Sequence, residues 1–97
     1  MNYQDALNEC QRLVILRCLS EMTGYKANES ILQNLLDCYG YSLSRDQVKT
    51  HMAWLAEQGL ITVDTVADIQ VATLTARGED CAAGRAQVPG VKRPRAK

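Results

Sequence analysis

Apolar positions recur at helical spacing in three stretches and then change to alternation. In residues 5–22, Leu7, Cys10, Val14, Cys18, Leu19 and Met22 fall at intervals of three and four, which predicts one long helix. Leu13 and Leu16 lie off that stripe. A surface helix needs a single apolar stripe, so this second apolar face predicts burial against something besides the domain core. In so small a chain the expected cover is a second copy, a homodimer held through Leu13 and Leu16 of the first helix. Gly24 suits the cap that ends this helix.

Asn28 is a good N-cap for a second helix over 29–39, with Glu29 well placed in its positive first turn. Ile31, Leu32, Leu35, Leu36, Cys38 and Tyr39 supply its apolar side, and Gly40 stops it. Tyr41-Ser42-Leu43 reads as a very short strand or an extended turn. Ser44 to Gln47 spells a capping box, S-x-x-Q, ahead of a third helix over 45–58. Val48, Met52, Leu55 and Ala56 face inward there, and Gly59 ends it. From Ile61 the period becomes two and β-branched residues dominate, which predicts strands over 61–65 and 69–74 joined by a short hairpin loop. A short helix is expected after the second strand. The fold class is therefore mainly α with a small β-hairpin, an α+β chain of three helices followed by two strands.

Charge divides the chain in two. Residues 1–84 hold six basic and all eleven acidic side chains, a net charge of −5. Residues 85–97 hold Arg85, Lys92, Arg93, Arg95 and Lys97 with no acid, a net charge of +5. With Pro89, Gly90 and Pro94 and no periodicity, this second part is expected to be a disordered basic tail on a single folded domain of residues 1–84. No apolar run approaches the ~18 residues of a membrane span. Met1 to Asp5 lacks the basic and apolar regions of a signal peptide, so a cytoplasmic protein is expected.

The chemistry-bearing residues are few. Cys10, Cys18, Cys38 and Cys81 fit no zinc spacing and are expected to be reduced, small buried side chains. His51 has no metal-spaced partner and no nucleophile motif beside it, so a partly buried structural role is expected. Trp54 and Tyr41 read as core or rim residues rather than a base-stacking platform. The chain has no P-loop, no G-x-G-x-x-G, no H-E-x-x-H and no carboxylate pair tied to a pocket, so neither an enzyme nor a cofactor or metal site is expected.

The run Ser44-x-x-Gln47-Val48-x-x-x-Met52-x-x-Leu55-x-x-x-Gly59-Leu60-Ile61 resembles the recognition helix and wing entry of ArsR-type and MarR-type winged helix-turn-helix proteins. Thr73-Leu74-Thr75-Ala76-Arg77-Gly78 resembles the end of their second wing strand, where a Leu-Thr-x-x-Gly run is common. The resemblance covers about residues 5–84, and the compact layout is also similar to small winged-helix proteins of Mu-like phages and prophages. It implies a regulator or DNA-handling accessory that sets helix 45–58 in the major groove of double-stranded DNA. ArsR-type metal sensing is not implied, because the recognition region holds His51 and lacks the paired cysteines. The extra dimerisation helices of MarR-type regulators have no room in 97 residues.

Arg45, Lys49 and Thr50 are the expected contacts from the third helix: Arg45 to guanine, Lys49 to phosphate, Thr50 to either. Lys92, Arg93, Arg95 and Lys97 are expected to neutralise phosphates as a flexible arm. The hairpin carries Asp64 and Asp68 and no Lys or Arg, which opposes this reading. The alternative is a protein–protein interaction module on the same scaffold without DNA binding.

Overall fold

A computed structural model describes residues 2–94. The order of elements is α1 (Tyr3–Glu21), a single 3-10 turn (Thr23–Tyr25), β1 (Lys26–Asn28), α2 (Glu29–Cys38), α3 (Arg45–Glu57), β2 (Ile61–Val66), β3 (Ile69–Leu74) and α4 (Ala76–Ala83). The described residues are thus α+β, with four helices and a three-stranded antiparallel sheet in the order β1-β3-β2.

Local signals account for most boundaries. Asn2 and Asn28 cap α1 and α2, their side-chain oxygens accepting the Asp5 and Ile31 N–H groups at 2.8 Å each. The capping box of α3 forms: Ser44 Oγ accepts the Gln47 N–H at 3.1 Å, and Gln47 Oε1 accepts the Ser44 N–H at 2.9 Å. β2 and β3 pair from Ile61↔Leu74 to Val66↔Ile69. Their two-residue connection, Ala67-Asp68, has φ of 50° and 67°. Two left-handed residues are what a tight hairpin turn with the twist of its strands requires. Thr75 caps α4 through the Gly78 N–H at 3.0 Å, and its hydroxyl also donates to the Gly59 carbonyl at 2.8 Å. A Cβ on Gly78 would collide with the Leu60 carbonyl oxygen. The Thr-x-x-Gly run therefore docks the first turn of α4 on the backbone that leaves α3.

Three expectations are corrected. The sheet has a third strand, β1, pairing Lys26↔Thr73, Ala27↔Ala72 and Asn28↔Val71. Three residues are too short for a period to register. The second correction concerns Leu13 and Leu16, which are 6% and 0% exposed within the single chain. α1 is enclosed by α2, α4 and β3, so its second apolar face, Leu13 and Leu16 included, is covered within the chain by the domain's own core. The third is the boundary at residue 84. Val88 and Val91 belong to the core, and Pro94 returns beside Gly84, so residues 84–94 form a loop strapped over α1 and α3. Two valines among prolines and charges give no periodicity, which is why this segment reads as a tail. Among the described residues no helix is long and apolar enough to cross a membrane.

Candidate nucleic-acid interface

α3 is held on two sides by different chemistry. Toward α2 and β3 the centre is Glu29, whose side chain is 4% exposed. Its Oε1 accepts from Arg45 Nη1 at 3.3 Å and lies 3.9 Å from Lys49 Nζ. Its Oε2 accepts the backbone N–H of Gln70 at 3.1 Å. Gln33 completes the arrangement: its Oε1 accepts from Arg45 Nε at 2.8 Å while its Nε2 donates to the Leu43 carbonyl at 3.0 Å. Burial by itself would push the Glu29 carboxyl up. The Gln70 N–H, the Arg45 guanidinium and the Lys49 ammonium outweigh it and hold the pKa below the ordinary 4.5.

Arg45 and Lys49 are therefore not loose cations on a solvated face, as their exposed positions suggested. Both touch a buried carboxylate. Their side chains nonetheless keep 43% and 39% exposure, enough to present charge to an incoming group. Thr50 is exposed and its hydroxyl donates back to the Asp46 carbonyl at 2.9 Å. The residues that fix Arg45, Glu29 and Gln33, carry no motif, and neither does Gln70, whose backbone N–H holds Glu29. The sequence marks Glu29 only as a first-turn acid favoured by the helix dipole.

Toward α1 the contacts are a cation on an aromatic face and a neutral hydrogen-bonded pair. Arg12 lies over the Trp54 ring, 4.0 Å from its centroid, and donates from Nη1 to the Gly90 carbonyl at 2.9 Å. Gly90, with φ of 99°, sits so close to Trp54 that a Cβ would be 2.5 Å from the ring. His51 is 6% exposed and its Nε2 pairs with Gln11 Oε1 at 2.9 Å. A glutamine oxygen only accepts, so Nε2 carries the proton and donates. Burial, assisted by Arg12, lowers the His51 pKa from 6.5 to about 4, so the ring is neutral near pH 7. His51 is thus buried rather than partly buried as expected.

A polar cleft of about 140 Å³ runs between these helices, lined by Gln4, Asn8 and Gln11 of α1 and Gln47, Thr50 and His51 of α3. A second, of about 320 Å³, opens beside Trp54 and Gly90 and is rimmed by Asp5 and Glu9. Those carboxylates would repel a phosphate there.

The strap also relocates the basic residues. The Lys92 backbone N–H donates to the Glu9 carbonyl at 3.2 Å, so Lys92 and Arg93 follow the α1 side of the molecule rather than swinging free. Arg95 and Lys97 lie outside the described residues. The hairpin tip is acidic and apolar: Asp64 and Asp68 accompany Val66 and Ile69, which are 61% and 39% exposed. All four cysteines are free; Cys18 and Cys81 are buried, Cys10 is half-buried, and Cys38 is exposed rather than buried as expected. Among the described residues no three His, Cys, Asp or Glu side chains gather where they could hold a metal ion.

Comparison with known proteins gives relatives without an assigned role. A protein of Escherichia phage Mu, the uncharacterized protein gp26, is 56% identical over 91 residues, spanning 94% of each chain. An uncharacterized protein of Haemophilus influenzae is 45% identical over 95 residues, spanning 92% of each chain. No family model and no solved structure matches. At such identity over nearly the whole length, the chain belongs to the family of the phage Mu protein gp26.

Proposed function

We propose that this protein is a small winged-helix DNA-binding protein, a phage-type transcriptional regulator or DNA-handling accessory, with α3 as its recognition helix and β2–β3 as its wing. The order of α1, α2 and α3 followed by the β2–β3 hairpin supports this reading. Fold by itself does not assign function. The observation that carries the reading is the first half of α3, where Arg45 and Lys49 are exposed yet held in place by Glu29 and Gln33. Recognition helices meet base edges with their N-terminal residues, and a fixed guanidinium loses less entropy on pairing with guanine.

The test is fluorescence anisotropy of the full chain on duplex DNA between ~50 and ~200 mM salt. Lys49→Ala should weaken binding to all sequences alike and reduce the salt slope by about 0.9. Arg45→Ala should reduce discrimination between sequences. One observation favours a second reading, a protein–protein interaction module: the wing has an exposed Val66–Ile69 tip, two carboxylates and no cation. If the full chain binds no duplex at ~50 mM salt, the interaction module replaces the DNA reading.

A further inference from the structure

The clamp on Arg45 and Lys49 has the composition of a phosphate site already filled. One guanidinium, one ammonium and one backbone N–H converge on the two oxygens of a single buried carboxylate. Those are the donors that proteins turn toward a nucleic-acid backbone. We infer that Glu29 is an internal counter-anion of the recognition helix, setting where Arg45 and Lys49 stand and restraining how strongly they bind phosphate.

This inference rests on the DNA-binding reading and deepens it. Glu29 enters from α2, the cations from α3 and the Gln70 amide from β3, so one carboxylate ties three elements at the point where helix and wing diverge. It is 4% exposed, whereas the two cations are 43% and 39% exposed. A phosphate thus reaches the cations from outside and shares them with Glu29 rather than displacing it. Two cations facing one carboxylate leave a net single positive charge. Such a site favours a well-placed contact over indiscriminate attraction. Gln33 holds the Arg45 Nε at 2.8 Å and leaves the guanidinium little freedom to search other positions. Glu29 is a positioning residue in this scheme and touches no nucleotide itself.

The experiment is a salt titration of duplex binding by full-length wild type and Glu29→Gln. Glutamine keeps the shape and one acceptor oxygen but removes the charge. Binding to an arbitrary duplex should tighten roughly 3- to 10-fold at ~50 mM salt, and the salt slope should steepen by about 0.9. Discrimination between sequences should fall at the same time, because Arg45 is released. Glu57→Gln, which removes an exposed carboxylate from the same helix, is the control for bulk charge. In an Arg45→Ala/Lys49→Ala background, Glu29→Gln should gain no more than Glu57→Gln does.

If wild type binds and Glu29→Gln binds no tighter, or only as much tighter as Glu57→Gln, the counter-anion role is overturned while DNA binding stands. If neither wild type nor Glu29→Gln binds any duplex, both readings fall together. Should Glu29→Gln not fold, Glu29→Asp carries the test. It keeps the charge but shortens the reach by one methylene, so discrimination should fall with the salt slope unchanged. Unchanged discrimination overturns the inference.

Discussion

The two flanks of α3 show two ways of holding a cation. On the α1 side, Arg12 lies over Trp54 and against the Gly90 carbonyl, with a neutral buried His51 nearby. On the α2 side, Arg45 and Lys49 meet the ionised Glu29. The first arrangement spreads positive charge over an aromatic face and fastens the strap of residues 84–94. The second balances charge against charge while leaving the cations in contact with water. One flank fastens its cation to an aromatic face and a backbone carbonyl, and the other leaves two cations half-exposed against one buried carboxylate.

The strongest way to break the comparison is to remove the strap. Truncation after Gly84 takes Val88 and Val91 out of the core, where they are 3% and 6% exposed. Each buried valine contributes on the order of 1.5–2 kcal/mol. The loss of about 3–4 kcal/mol is a large fraction of a small domain's stability, and urea denaturation should show it. A truncated chain as stable as the full one would return this segment to the status of a tail. Gly90→Ala is the local version. With φ of 99° and the Trp54 ring in its path, it should cost roughly 1–3 kcal/mol and change Trp54 fluorescence.

Acid separates the two flanks by order. The His51 pKa falls from 6.5 in the unfolded chain to about 4 in the folded one. Below 6.5 the unfolded state takes up the proton first, so stability drains as pH falls from 6.5 toward 4, by about 3 kcal/mol in all. Glu29 behaves differently. Its folded pKa lies below 4.5, so its stabilising effect is intact above 4.5 and is lost as pH falls through that lower value. Unfolding measured from pH 7 to 3 should therefore show the α1 flank weaken before the α2 flank. His51→Gln should flatten the upper part of the curve and leave the lower part in place.

Smaller effects sharpen the α2 flank. On the proposed DNA-binding reading, Arg45→Ala should lower discrimination at one base pair by ~1–3 kcal/mol, read from paired duplexes. In the turn that leads back to Gln70, Ala67 adopts a φ of 50° that a methyl side chain disfavours. Replacing Ala67-Asp68 by Asn-Gly should stabilise the chain by about 1 kcal/mol without altering the register of β2 and β3, measurable as a raised Tm.

What residues near in sequence do to one another was legible in the chain. The capping box at Ser44, the Asn28 cap, the stop after α3 and the change from helical spacing to alternation are local, because hydrogen bonds over three or four residues and side-chain direction set them. They fixed α2, α3, β2 and β3 to within a residue or two. What depended on distant residues was not legible. β1 exists only because β3 offers it an edge. Leu13 and Leu16 turn inward because α1 is enclosed on more than one side, which no single helical stripe can announce. Val88 and Val91 are core residues because Arg12 and Trp54 catch the loop between them at Gly90. Arg45 and Lys49 were visible as cations four residues apart. That they share a carboxylate sixteen and twenty positions earlier was decided by the docking of α2 on α3, since an ion pair's energy depends on distance in space and burial, and sequence order carries neither.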